Sequence, residues 1–218
     1  MITEQTADDL YAALLGRLYR DARLVSPRGL VTYEWRGLNL CLVDSRQALI
    51  TMPERKLNYH FAVAEWWWIA AGRDDVGFIS QYNKRIADFS DDQKRFAGAY
   101  GPRWREQIRH VVAKLREDPD SRQAVVSLWQ PNLLTIKTRD VPCTLSFQYF
   151  IRGTQLECHA VMRSSDAWLG FPYDLHNFAR LQAMVAGELN VAPGPLYLTL
   201  GSSHFYERDK ERIFECVQ

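Results

Sequence analysis

Residues 59–71, YHFAVAEWWWIAA, read as a helix that is apolar almost all round. A helix of that kind has to be covered on most of its sides, so the rest of the chain must wrap layers around it. At 218 residues the chain is long enough for one domain with a sizeable core and short for two, so a single domain over residues 1–218 is expected. Glu65 sits in the middle of this helix. A carboxylate there has to lie at an exposed edge, be paired in a salt bridge, or be partly desolvated. Desolvation raises a carboxyl pKa, which suits proton transfer near neutrality.

The flanking segments supply a sheet and more helices. Residues 6–23 carry Leu10, Leu14, Leu15 and Leu18 at helical spacing behind a Thr6-x-x-Asp9 start. Residues 30–43 read as two short strands with Gly37 as the turn, and 74–102 as broken and loop-like. A helix is expected over 103–116, strands over 123–129, 145–151 and 156–163, a strong helix over 173–188, and a last strand over 196–200. The fold class is therefore α+β, one main mixed sheet covered by long helices.

Net charge is +1 with no long run of one sign, which excludes the concentrated basic face that broad nucleic-acid binding needs. A few arginines aimed at one small anion remain compatible with it. Cys41, Cys143, Cys158 and Cys216 form no C-x-x-C pair, so neither a zinc site nor a disulfide framework is expected. No apolar run approaches the roughly 20 residues of a membrane span. The acidic, then amphipathic N-terminus is unlike a secretory signal, and a cytoplasmic protein is expected.

Three constellations carry chemical interest. Cys143 follows Pro142 and leads into a strand; as a nucleophile it would need cations nearby to favour the thiolate. Arg163-Ser164-Ser165-Asp166 ends a strand ahead of Gly170-Phe171-Pro172 and a long helix, a cradle suited to phosphate or simply a polar turn. His204 and Tyr206 alternate around Phe205, placing two polar rings on one side of an extended segment.

In this order, Pro142-Cys143 with Gln148, Arg163-Ser164-x-Asp166, Leu169-Gly170-x-Pro172 and Gly201-x-x-His204-x-Tyr206 resemble the superfamily of thymidylate synthases and cytidylate hydroxymethylases. Glu65 with Gly72, Tyr100-Gly101-x-x-Trp104-Arg105 and Asp120-Ser121-Arg122 fit the same pattern, which covers roughly residues 28 to 206. The resemblance implies that Cys143 adds to C6 of a pyrimidine nucleotide and that Glu65 organises water and moves protons. It implies that Arg28, Arg163 and Ser164 hold the phosphate, with Arg122 reaching in from the second subunit of a homodimer formed through a sheet face. By the same resemblance Ser165 and Gln148 join the nucleotide site, His204 and Tyr206 bind the ribose 3′-hydroxyl, and Tyr100 and Ser121 surround the thiol and base. Asp166, Leu169, Gly170 and Tyr173 would line the site of 5,10-methylenetetrahydrofolate, and no metal is implied.

The departures from that pattern are specific. Asp174 stands where the synthases carry asparagine, whose amide can donate to uracil O4 and accept from N3–H. A carboxylate only accepts; cytosine offers an N4 amino donor and an N3 that becomes a donor once protonated during thiol addition. Thr144 and Ser202 replace a usual histidine and aspartate, as in the hydroxymethylase branch, and Gln123 replaces a usual second phosphate arginine. The chain stops at Gln218, twelve residues after Tyr206, where synthases continue into a segment that closes over the folate; easier entry of water is the expectation. These departures point to a 5-hydroxymethylase of CMP or dCMP. A uridylate-modifying synthase and a non-catalytic nucleotide-binding homologue are the alternatives.

Overall fold

The computed structural model describes residues 1–217, save the side chain of Leu134. It begins with β1 (Ile2–Glu4), α1 (Ala7–Asp21), β2 (Arg23–Val25) and β3 (Thr32–Leu42). There follow α2 (Tyr59–Ala70), a short α3 (Val76–Ile79), α4 (Tyr100–Glu117) and β4 (Val125–Ser127). The chain ends with β5 (Thr144–Arg152), β6 (Gln155–Met162), β7 (Ser165–Asp166), α5 (Phe171–Leu189), β8 (Ala192–Tyr206) and α6 (Lys210–Val217). Eight strands form one sheet in the order β1-β3-β8-β6-β5-β4, with β2 paired to β3 and β7 to β8. Parallel pairs (β1/β3, β6/β8) mix with antiparallel ones (β3/β8, β5/β6), so the α+β expectation holds.

The first helix starts as its sequence dictates. The Thr6 hydroxyl accepts from the Asp9 amide at 3.2 Å and donates to its carboxylate at 2.6 Å, filling a position the helix cannot satisfy itself. Strand alternation then sorts the sheet faces: Leu156, Cys158, Ala160 and Met162 of β6 are buried, while Glu157, His159 and Val161 are half-exposed on the other side. The helices cover the buried side. Phe147 of β5 meets Phe178 of α5 edge-on at 4.9 Å, and the Tyr149 hydroxyl accepts from the Trp104 indole of α4 at 3.2 Å. Each such fully buried aromatic contributes about 1.5–3 kcal/mol of burial.

Four expectations change. Residues 32–42 form one strand, because Gly37 takes φ 68° and kinks β3 without ending it. The last strand is three times its expected length, running through Gly194 to Tyr206. Gly201 allows this strand to pass Arg163: a Cβ there would lie 2.8 Å from the Arg163 carbonyl oxygen. The polar stretch before α4 carries α3 and a short 3-10 helix at Lys84–Phe89. Finally, α2 is not covered all round: Phe61, Ala62, Trp68 and Ile69 are buried, but Val63 and Trp67 are 55% and 45% exposed. Its uniform hydropathy conceals one open face.

Candidate active site

The site forms where α5 begins, beneath the ends of β5, β6 and β8. Arg163 follows the last residue of β6, and its backbone amide donates to the Cys143 carbonyl at 2.9 Å. Its guanidinium donates from Nε to Pro142 O and from Nη2 to Val141 O, both at 2.9 Å, and Nη2 reaches Cys143 Sγ at 3.7 Å. One side chain thus fixes the loop that carries the thiol. Nη1 has no partner among the described residues and is the part of the fork open to an anion.

Burial pushes the Cys143 thiol above its ordinary range; Arg163 opposes this, and the carboxyls of Asp174, Asp140 and Asp166 add to it. The expectation that cations would favour a thiolate is therefore met only in part: the arginine is in place, but burial outweighs it. A protonated Cys143 needs a base when it attacks.

Across from the thiol, α2 and α5 bring carboxyls together. Asn177 Nδ2 donates to Glu65 Oε2 at 2.8 Å. Burial raises the Glu65 carboxyl to about 7, with the Asn177 bond opposing. Asp174, three residues before Asn177 on the same face of α5, is held well above the usual carboxylate range by burial and by the charges of Glu65 and Asp166. Tyr100, at the start of α4, accepts the Thr144 amide at 3.1 Å beside Cys143; burial and the nearby Asp174 and Cys143 keep its phenol neutral. Two carboxyls held above their ordinary range, a phenol and a thiol thus converge on one region.

The polar strand ends complete it. His204 and Tyr206 do share a face of β8, with rings 5.5 Å apart and edge-to-face, and the Ser164 hydroxyl lies 3.5 Å from His204 Nδ1. Arg28 is exposed in the left-handed region at φ 55° and close enough to act on His204, which burial keeps neutral. Asp166 Oδ1 accepts the amides of Trp168 and Leu169, both at 2.9 Å, which shapes the turn into α5 at Gly170. Leu169 is exposed, and the Tyr173 hydroxyl accepts the Asn58 amide at 3.3 Å. A folate would fit this rim: Asp166 keeps its second oxygen without a protein partner, next to an exposed leucine and a tyrosine edge.

Four expected residues make no hydrogen bond to this cluster within the chain. Ser165 alternates away from Ser164 and is buried with an unpartnered hydroxyl. Ser121 is buried at the turn after α4, accepting the Gln123 amide. Gln148 is on the half-exposed face of β5, donating to the Arg122 carbonyl at 2.8 Å. Cys143 and Gln148 are five residues apart, and the register shift between Thr144 and Ser146 interrupts the regular alternation between them. Arg122 is exposed and makes no contact with Cys143 in its own chain. Conversely, Asn177 gave no motif; only its spacing of three from Asp174 on a helix could have found it.

Residues 21–218 match the thymidylate synthase family. The chain belongs to that family. A deoxyuridylate hydroxymethyltransferase of Bacillus phage SP01 is similar to it, 33% identical over 228 residues, covering 96% of this chain and 60% of the phage protein. The chain thus spans about 60% of the length of that curated relative. No helix among the described residues is long and apolar enough to cross a membrane.

Proposed function

We propose that the chain is a 5-hydroxymethylase of a cytosine nucleotide, CMP or dCMP. What supports this is Asp174, a buried carboxyl beside Glu65 and in reach of Cys143, standing where the resemblance puts the base-reading asparagine of the synthases. As a neutral acid its O–H matches cytosine N3 and its carbonyl accepts N4–H. After Cys143 Sγ bonds to C6, N3 takes that proton, and the resulting carboxylate accepts from both N3–H and N4–H. One proton shift therefore serves binding and activation alike. The one-carbon unit comes from 5,10-methylenetetrahydrofolate, bound against Asp166, Leu169, Gly170 and Tyr173. Glu65, poised near neutrality, takes protons from the ring and directs water to the exocyclic methylene on C5, after which Cys143 leaves. The balance is nucleotide, methylenetetrahydrofolate and water giving 5-hydroxymethyl nucleotide and tetrahydrofolate. Arg28, Arg163 and Ser164 hold the phosphate, His204 and Tyr206 the sugar. Arg122 completes the phosphate site from the partner in a homodimer, a reading supported by its exposure and its lack of contact with Cys143 in its own chain.

The phage relative favours a second reading, hydroxymethylation of deoxyuridylate, because a neutral Asp174 also complements uracil by donating to O4 and accepting from N3–H. Incubation with labelled methylenetetrahydrofolate and CMP, dCMP, UMP or dUMP, read by mass, separates the two. A hydroxymethylated cytosine nucleotide is expected. A hydroxymethylated uracil product alone establishes the second reading, and 5-methyl product with dihydrofolate from dUMP overturns both.

A further inference from the structure

Behind Glu65, on the outer side of α2 and α5, lies a cleft of about 440 Å³ lined by Val63, Trp66, His176, Arg180, Ala183 and Met184. His176 is 4% exposed and Asn177 1% exposed. His176 Nδ1 and Asn177 Oδ1 are both wholly buried and have no partner, although the residues are neighbours. Two adjacent orphans of complementary chemistry are uncommon, since each costs about 1–3 kcal/mol unpaired. Asn177 already donates from Nδ2 to Glu65.

We propose that His176 is a positioning residue for Glu65: its Nδ1–H donates to Asn177 Oδ1 and locks the amide with Nδ2 towards the carboxylate. An asparagine amide has a donor and an acceptor end and can turn over. Turned over, it would accept from a protonated Glu65 and favour the neutral acid. Held by His176, it can only donate, which favours the ionised form and keeps the group within reach of neutrality. The imidazole stays neutral, as this role requires: burial and Arg180 lower it to about 4, against the nearby Asn177 side chain, which raises it. The other charged groups around the relay lie on α5, Asp174 beside Glu65 and Arg180 beside His176; Tyr100 of α4 reaches it only through Asp174. From α2 the neighbour is the Trp66 indole, whose buried Nε1 is also unpartnered.

The inference rests on Glu65 being the proton-transfer group of the proposed reaction, but its test needs no turnover. The Glu65 carboxyl is followed by ¹³C NMR in ligand-free protein labelled at glutamate, with Glu65→Gln to assign it. In His176→Leu the midpoint should rise by about 1 pH unit, on the scale of one hydrogen bond to a charged group. His176→Asn, whose amide nitrogen overlays Nδ1, should keep the wild-type midpoint, whereas His176→Gln, whose nitrogen overlays Nε2, should behave like leucine. An unmoved midpoint in His176→Leu, or an equal rise in His176→Asn, overturns the relay. If the midpoints move as expected while wild type modifies none of the four nucleotides, the relay stands and the proposed reaction falls.

Discussion

Replacing Asp174 with asparagine keeps the size of the side chain and removes its proton. In the ground state the loss is small, because a turned amide still donates to cytosine N3 and accepts from N4–H. In the thiol adduct it is large: N3 has no acid to protonate it, and an NH₂ then faces N3–H. The structure shows no other acid within α5's first turn, where Asp174 lies with Glu65 and Tyr100 as its neighbours. A lost hydrogen bond to a charged group in a buried site costs about 1.5–3 kcal/mol, or roughly 10- to 150-fold in rate. The cost should fall on kcat with cytosine nucleotides, leaving KM within about threefold, the signature of an interaction made only in the transition state. For uracil nucleotides the amide donates to the developing O4 oxyanion, so the ratio of uracil to cytosine turnover should rise by at least about 10-fold. Folate-dependent tritium release from 5-³H nucleotides measures both. A KM increase with unchanged kcat, or an unaltered base ratio, refutes the argument that Asp174 protonates N3.

Glu65→Gln should abolish hydroxymethylation while changing how stability depends on pH. Because folding raises Glu65 from an ordinary 4.5 to about 7, the native state holds the proton more tightly. Stability from this group is therefore full below about 4.5 and lost as pH rises through about 7, a loss of about 3 kcal/mol that urea denaturation should show in wild type and not in the variant. Arg163→Leu should raise the Cys143 thiol further and slow its alkylation at pH 8 by about tenfold, since one pH unit of thiolate is at stake; an unchanged rate would separate the arginine from the thiol. Mixed dimers of Arg122→Ala and Cys143→Ala subunits should recover activity that neither parent has, and no recovery would mean that Arg122 does not act across subunits.

Much of this site was legible because the residues sit in short segments beside strand and helix ends: the thiol after Pro142, the arginine and serine after β6, the paired rings on β8. Asp174 was legible as a departure. The upward shift of its carboxyl was not, since that comes from burial and from Glu65 and Asp166, of which Glu65 is distant in sequence. Which face Gln148 presents relative to Cys143 was not legible, because the register shift beside Thr144 is a backbone event with no side-chain signature. The open face of α2 escaped for the opposite reason: Val63 and Trp67 are as apolar as their buried neighbours, and only packing distinguishes them.

The length of β8 limits how such a site can be altered. Leu196, Leu198 and Leu200 fill the core, and His204 and Tyr206 reach the site, on one unbroken strand from Ala192 to Tyr206. Removing a single residue after Leu200 would send Phe205 to the face that now carries His204 and Tyr206, and the two polar rings into the interior. That end of the site can therefore be retuned by substitution at fixed length, but not by a one-residue insertion or deletion within the strand.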